Sequence, residues 1–326
     1  MSEDSDYTPS SWSSSYDFSD SRDYYDSHRD TSYTEAKEDD TQTEDLIPES
    51  IQIDAESLLV IVSDLTGSMG KWPTTFFSKF PYLDYETKVY LGKNTQFLFA
   101  ATEDAAYDYY PVQITEPTEG EDIGSQLKKL VHEHKAGGGN GRESYELLAL
   151  YMARKVFMPN LKGKPILVFF ADEAPYKKVN RTWAKEYLDI NLNSDKDTEK
   201  IFEELKSKFS VYLVKKPYEH SRVDAMTAED RRIYEEWVSL LGEDKILLLG
   251  DENRAVDVVF AILAKETDRI EYCIEEFDQR QGQDDDYEEK KRMFDIATRF
   301  IFAEYFEEKK VVKEENVQGK KMKKLV

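Results

Sequence analysis

The chain predicts an α/β fold: a doubly wound, mostly parallel six-stranded sheet with helices on both faces. Three observations carry this expectation. The run Leu58-Leu59-Val60-Ile61-Val62 is continuously apolar and stops at Ser63-Asp64, as a strand buried on both faces does when its carboxyl end reaches the sheet edge. A second run, Ile166-Leu167-Val168-Phe169-Phe170, stops in the same way at Ala171-Asp172. From about residue 55, short apolar segments alternate with amphipathic ones, the order that parallel strands joined by crossover helices produce.

Each element follows from its own pattern. The first strand ends near Asp64, and its apolar run is too short to cross a membrane. Trp72, Phe76, Phe77 and Phe80 give one apolar face to a helix over 71–82. Gln96–Ala101 reads as the second strand, and Val112–Thr115 alternates as an antiparallel edge strand does. Helices are expected at 122–135 and 143–157, then the strand at 166–170, then helices at 180–188 and 197–207. Strand Ser210–Val214, helix 228–241, strand Ile246–Leu249 and helix 253–272 complete one domain over 51–273, a length within the usual single-domain range.

The flanks differ in composition. Residues 1–50 hold fifteen Asp or Glu against three Arg or Lys and so contribute −12 of the formal −23. With almost no aliphatic side chains to bury, this acidic Ser/Tyr-rich tail is expected to be disordered. A positively charged stretch leading into an apolar leader is missing from it, which predicts a cytoplasmic protein. Residues 274–326 read as a charged linker around Asp284-Asp285-Asp286, an amphipathic helix and a basic tail with Lys320, Lys321, Lys323 and Lys324. The helix carries Met293, Phe294, Ile296, Ala297, Phe300, Ile301 and Tyr305 on one stripe and is expected to fold back onto the domain. The acidic balance argues against nucleic acid as a partner, and four lysines are too few for a membrane contact.

Chemistry concentrates at the two strand ends. Asp64, Thr66 and Ser68 form a D-x-T-x-S pattern. Mg²⁺ takes about six oxygens at roughly 2.0–2.1 Å, often one or two carboxylates with neutral oxygens and waters; the same residues also suit an ordinary polar turn. Gly137-Gly138-Gly139-Asn140-Gly141 precedes Glu143, expected in the first turn of the 143–157 helix. Such glycines allow close backbone approach to a ligand, or simply a flexible loop. Asp172, followed by Glu173-Ala174-Pro175, falls at the same sheet edge as Asp64, where it could also merely cap a helix.

In that order and spacing, the three stretches resemble the von Willebrand factor A domain and its metal-ion-dependent adhesion site. The resemblance implies that Asp64, Thr66 and Ser68 hold Mg²⁺, or Mn²⁺ or Ca²⁺, with Asp172 as the distal carboxylate. It puts Asn140 where many members have a threonine or an acid, so that its carbonyl would serve directly or through water. A carboxylate from an acidic-residue-bearing protein partner would complete the shell. The function expected is a divalent-cation-dependent protein-binding module. Two alternatives stand beside it: a metal-assisted hydrolase with Glu143 or Glu173 nearby, and a scaffold whose ion only ties loops together. Other chemistry has little basis. Cys273 has no partner spacing, His132 and His134 cannot share a helix face, and His220 follows a strand in Lys215–His220, a loop that could border the metal site. The glycine run also lacks the trailing Lys-Ser/Thr of a phosphate-binding loop.

Overall fold

The computed structural model describes residues 46–80, 83–120, 122–131, 139–218, 225–282 and 285–310. Six strands form the central sheet: β1 (Ser57–Asp64), β2 (Thr95–Thr102), β3 (Val112–Ile114), β4 (Ile166–Ala171), β5 (Ser210–Lys215) and β6 (Ile246–Leu248). Their spatial order is β6-β5-β4-β1-β2-β3. The pairings are parallel except that of β3, which runs antiparallel to β2 at the edge.

Helices cover the faces: α1 (Trp72–Lys79), α2 (Leu83–Leu91), α3 (Asp122–Leu127), α4 (Tyr145–Lys155), α5 (Arg181–Leu188), α6 (Thr198–Lys208), α7 (Ala228–Leu241), α8 (Ala255–Glu266), α9 (Ile270–Gln281) and α10 (Tyr287–Thr298), and residues 303–310 are helical as well. Side chains alternate along β1, as a strand's period of two requires. Leu59 and Ile61 enter a core with α1, α2, α3, α8, α9 and α10, while Leu58, Val60 and Val62 enter a second core with α4, α5, α6 and α7. Side-chain caps start two helices: Asn180 accepts from the Thr182 amide at 2.7 Å, and Thr227 from the Asp230 amide at 3.1 Å.

Several boundaries differ from expectation for local reasons. The helix expected over 71–82 is α1 alone, and α2, which the apolar spacing did not reveal, begins at Leu83. The helix expected over 122–135 ends at Leu127, and residues 132–138, with both histidines and Gly137-Gly138, lie outside the described residues. Glu143 is not in the first turn of α4. Arg142–Glu143 instead pairs in parallel with Ala174–Pro175, and the helix begins at Tyr145. The single helix expected over 253–272 is two, because Asp268 takes a left-handed φ of 55° and turns the chain between α8 and α9.

At its carboxyl-terminal end the domain extends past the expected boundary at residue 273, which falls inside α9. Much of the stretch expected as a charged linker, 278–292, is helical, in α9 and α10; Phe277 of α9 stacks on Phe294 of α10 at 4.5 Å between centroids, and both belong to the core with α8. Helix α10 also lies against the edge strand β6. At the other end the packed chain begins by Leu46, which is buried, and Tyr151 donates to the Pro48 carbonyl at 2.7 Å. The remainder of the acidic tail, residues 1–45, and the basic tail, within 311–326, lie outside the described residues, as does His220. No helix of the described residues is long and apolar enough to cross a membrane.

Candidate functional site

The strand order reverses direction between β1 and β4: the chain winds outward through β2 and β3 on one side and through β5 and β6 on the other. Open α/β sheets form a ligand-binding crevice at this switch point, outside the carboxyl ends of the strands. Asp64 is the last residue of β1, and Asp172 follows the last residue of β4, so the topology brings both carboxyls to the crevice. Between them the chain after Asp64 enters a 3-10 turn at Gly67–Met69. Leu65 and Met69 are fully buried anchors, whereas Ser68 is exposed.

A continuous row of oxygens results. Thr66 Oγ1 lies 2.6 Å from Asp64 Oδ1, Ser68 Oγ lies 3.1 Å from Thr66 Oγ1, and Ser68 Oγ donates to Asp172 Oδ1 at 3.0 Å. The Thr66 amide also donates to Asp64 Oδ1, at 2.8 Å. Three oxygen–oxygen links need three protons, but two hydroxyls supply two. A proton kept on a carboxyl supplies the third, or a cation takes its place; with neither, the Thr66 and Ser68 hydroxyls only touch, at 3.1 Å. The separations suit the second option as well, since adjacent ligands of an octahedral Mg²⁺ at roughly 2.1 Å lie about 3.0 Å apart.

Electrostatics agree with the proton count. Burial, and then the charge of Asp172, push the Asp64 carboxyl up to about 8, against hydrogen bonds from Thr66 and Tyr145. Burial also raises Asp172, with Lys216, Ser68 and Lys215 opposing. Tyr145, the first residue of α4, donates its hydroxyl to Asp64 Oδ2, and its fully buried ring packs on Phe169 and Trp237. Glu143 is 4% exposed, and its Oε2 has no hydrogen-bond partner. Burial, followed by Asp64, Asp104, Asp108 and Glu173, raises it to about 12. Two buried carboxyls, Asp64 and Glu143, thus hold protons near neutral pH, while Asp172 has the Lys216 ammonium beside it. Among the described residues no group of three or more His, Cys, Asp or Glu is arranged to hold a metal. The donor set at the switch point is instead two carboxyls with two hydroxyls, a hard, all-oxygen set of the kind Mg²⁺ takes.

Asn140 is turned elsewhere. Its Nδ2 donates to Asp104 Oδ2 at 3.0 Å and to the Tyr176 hydroxyl at 2.9 Å, while its Oδ1 accepts from the Arg142 amide at 2.8 Å. The structure therefore brings Asp64, Thr66, Ser68 and Asp172 into one row and puts Asn140 in a neighbouring polar cluster. Gly141 has a φ of 71°, and a Cβ there would sit 3.1 Å from both Arg232 Nη2 and Glu229 Oε1. The next residue, Arg142, fastens the loop to α7 through a bidentate pair with Glu236 at 2.6 and 3.0 Å. Burial alone would raise Glu236, but its bonds from Arg142 and Lys177 bring it down to about 2.

Sequence reasoning missed Tyr145, because an aromatic at the start of an apolar helix looks like any core residue. It placed Lys216 in a loop that could border the site but gave it no role; its Nζ donates to the Ser68 carbonyl at 2.7 Å and to Asp172 Oδ2 at 3.4 Å. The signal for Lys216 was present: it follows β5 at the same sheet edge as Asp64 and Asp172.

No family model matches the chain, and no curated protein sequence matches it. Among solved structures, the pilus adhesin SpaC of Lactobacillus rhamnosus GG is similar with a TM-score of 0.47 and 11% identity, covering 68% of this chain and 31% of that one. Proximal thread matrix protein 1 of the mussel byssus gives a TM-score of 0.44 and 10% identity over 66% of this chain and 48% of that one. A von Willebrand factor type A protein from Catenulispora acidiphila gives 0.38 and 13% over 65% and 43%. This chain thus spans less than half the length of each. These likenesses are weak, and the architecture described above rests on the strand order itself.

Proposed function

We propose that the chain is a divalent-cation-dependent protein-binding module, with Asp64, Thr66, Ser68 and Asp172 holding Mg²⁺ at the switch point. The observation that carries this reading is the row of four side-chain oxygens that is one proton short unless a buried carboxyl stays protonated. When bound, the ion would be formally neutralised by the two carboxylates, and the four side-chain oxygens would leave about two of its roughly six coordination positions open to a further acidic ligand. Ser68 is exposed, so a partner's carboxylate has access to the row. Recognition rather than hydrolysis is favoured by the state of a nearby acid. Glu143 is raised to about 12 and so carries its proton in the ion-free protein, which does not leave it a free general base there.

The test is calorimetric titration of Mg²⁺ into the wild type and Asp64→Asn, followed by affinity capture of partners with Mg²⁺ or with chelator. Binding lost in Asp64→Asn, and a partner set retained only with Mg²⁺, are the expected results. Equal Mg²⁺ affinity in both proteins removes the site assignment.

A further inference from the structure

We infer that Lys216 is a tethered cation that occupies the ion-free site and sets its affinity for divalent metal; this rests on the reading of the switch point as a metal site. The backbone fixes the residue there. The Lys216 amide donates to the Ala171 carbonyl at 2.9 Å, which extends the ladder of β5 and β4 by one residue. Consecutive side chains along a strand point to opposite sides. Lys215 accordingly turns away to a buried pair with Asp230 at 2.7 Å, and Lys216 turns to the crevice.

There its ammonium bridges the two halves of the site. It donates to the Ser68 carbonyl at 2.7 Å and lies 3.4 Å from Asp172 Oδ2. It also sits 6.0 Å from the centroid of the Trp72 ring, within reach of a cation–π contact. Its side chain is 18% exposed, which leaves a route by which the ammonium can move outward. One positive charge held beside the metal-binding carboxylate does two things. It draws the turn carrying Thr66 and Ser68 onto Asp172 when no ion is present, and it repels an incoming Mg²⁺. The same ammonium, displaced but still tethered, gives an acidic partner a second positive contact beside the ion.

Lys216→Met keeps the aliphatic stem and removes the charge, and Lys216→Arg keeps the charge. Mg²⁺ alone is titrated into all three proteins by calorimetry, and each is melted in chelator and in saturating Mg²⁺. Removing one like charge at a partly exposed site should tighten Mg²⁺ binding about tenfold in Lys216→Met, with Lys216→Arg close to wild type. Lys216→Met should melt several degrees lower than wild type in chelator, and that gap should close in saturating Mg²⁺. A side chain with only a packing role leaves the gap the same in both conditions. Mg²⁺ binding of equal or weaker affinity in Lys216→Met, or a gap that Mg²⁺ does not change, overturns the inference and leaves the metal site standing. Binding in Lys216→Met alone supports it. An absence of any Mg²⁺ response in all three proteins overturns the metal reading and the inference with it.

Discussion

Mg²⁺ binding at the switch point should release a proton near neutral pH, and the amount follows from Asp64. Its carboxyl is raised to about 8 in the ion-free protein, so about 1% is ionised at pH 6, about 10% at pH 7 and about 90% at pH 9. Metal requires the ionised form. The perturbation is therefore pH: apparent Mg²⁺ affinity should rise about tenfold per unit between pH 6 and 7, flatten above 8, and gain roughly ninetyfold in all by pH 9. About 0.9 proton should leave per ion at pH 7 and about 0.1 at pH 9. Stability of the ion-free protein runs the other way. An acid whose folded pKa lies above its unfolded value of 3.8 contributes stability that is full below about pH 4 and lost as pH rises through about 8. For the fully buried Asp64 carboxyl, that loss is on the order of 5 kcal/mol by high pH, of which Mg²⁺ at a hundredfold excess over Kd returns about 2.7 kcal/mol. The assay is calorimetric titration from pH 6 to 9 in buffers of different ionisation enthalpy, with urea melts in chelator alongside. An affinity flat across that range, with binding enthalpies independent of buffer, refutes the proton count.

Three further outcomes are expected. Tyr145→Phe removes the hydroxyl that donates to Asp64 and should cost about 1–3 kcal/mol; urea melts should give the larger loss at pH 9, where Asp64 is ionised, and a pH-independent loss would mean that only packing changed. Gly141→Ala combines a φ of 71° with a Cβ 3.1 Å from Arg232 and Glu229, whereas Gly139→Ala has a φ of 63° and open space; the first should destabilise by about 2 kcal/mol and the second by about 1 kcal/mol, and equal melting temperatures would contradict the close approach. Glu236, brought down to about 2, contributes stability that is present above its unfolded value near 4.5 and lost as pH falls through about 2, so Arg142→Met should remove part of the acid-unfolding transition in that window, as followed by circular dichroism.

The parts of the fold legible in the sequence were those that local pattern decides. Strands β1 and β4 are buried on both faces and so appear as unbroken apolar runs, and their abrupt ends at acids point to the sheet edge. The spacing of Thr66 and Ser68 was readable because Leu65 and Met69 anchor the turn between them. What local pattern could not give was set by distant partners. Asn140 looks like a metal donor until Asp104 and Tyr176, each 36 residues away, take its amide. Glu143 sits in a helix-start pattern, but Ala174–Pro175 pulls it into a strand pairing. The break between α8 and α9 carries no glycine or proline to announce it; Asp268 takes the left-handed conformation instead, which aspartate tolerates better than most residues. Residues 278–292 read as linker because their charges dominate the composition, whereas the apolar stripe after them announced a helix folded back onto the domain, and its Phe294, Ala297 and Ile301 lie in the core.

The separation along the chain of the groups that meet at the switch point has a kinetic consequence. Ser68 meets Asp172 across 104 residues, and Asp64 meets Tyr145 across 81. Contacts of such span form only after long loops have closed, and so belong to the late, slow part of assembly. An ion seated on them, as proposed, would stabilise the native state more than the folding transition state, and so would lengthen the lifetime of the folded molecule without hastening its formation. If the proposed ion binds there, slower unfolding and slower cleavage by proteases, rather than faster refolding, are the properties that cation supply would change.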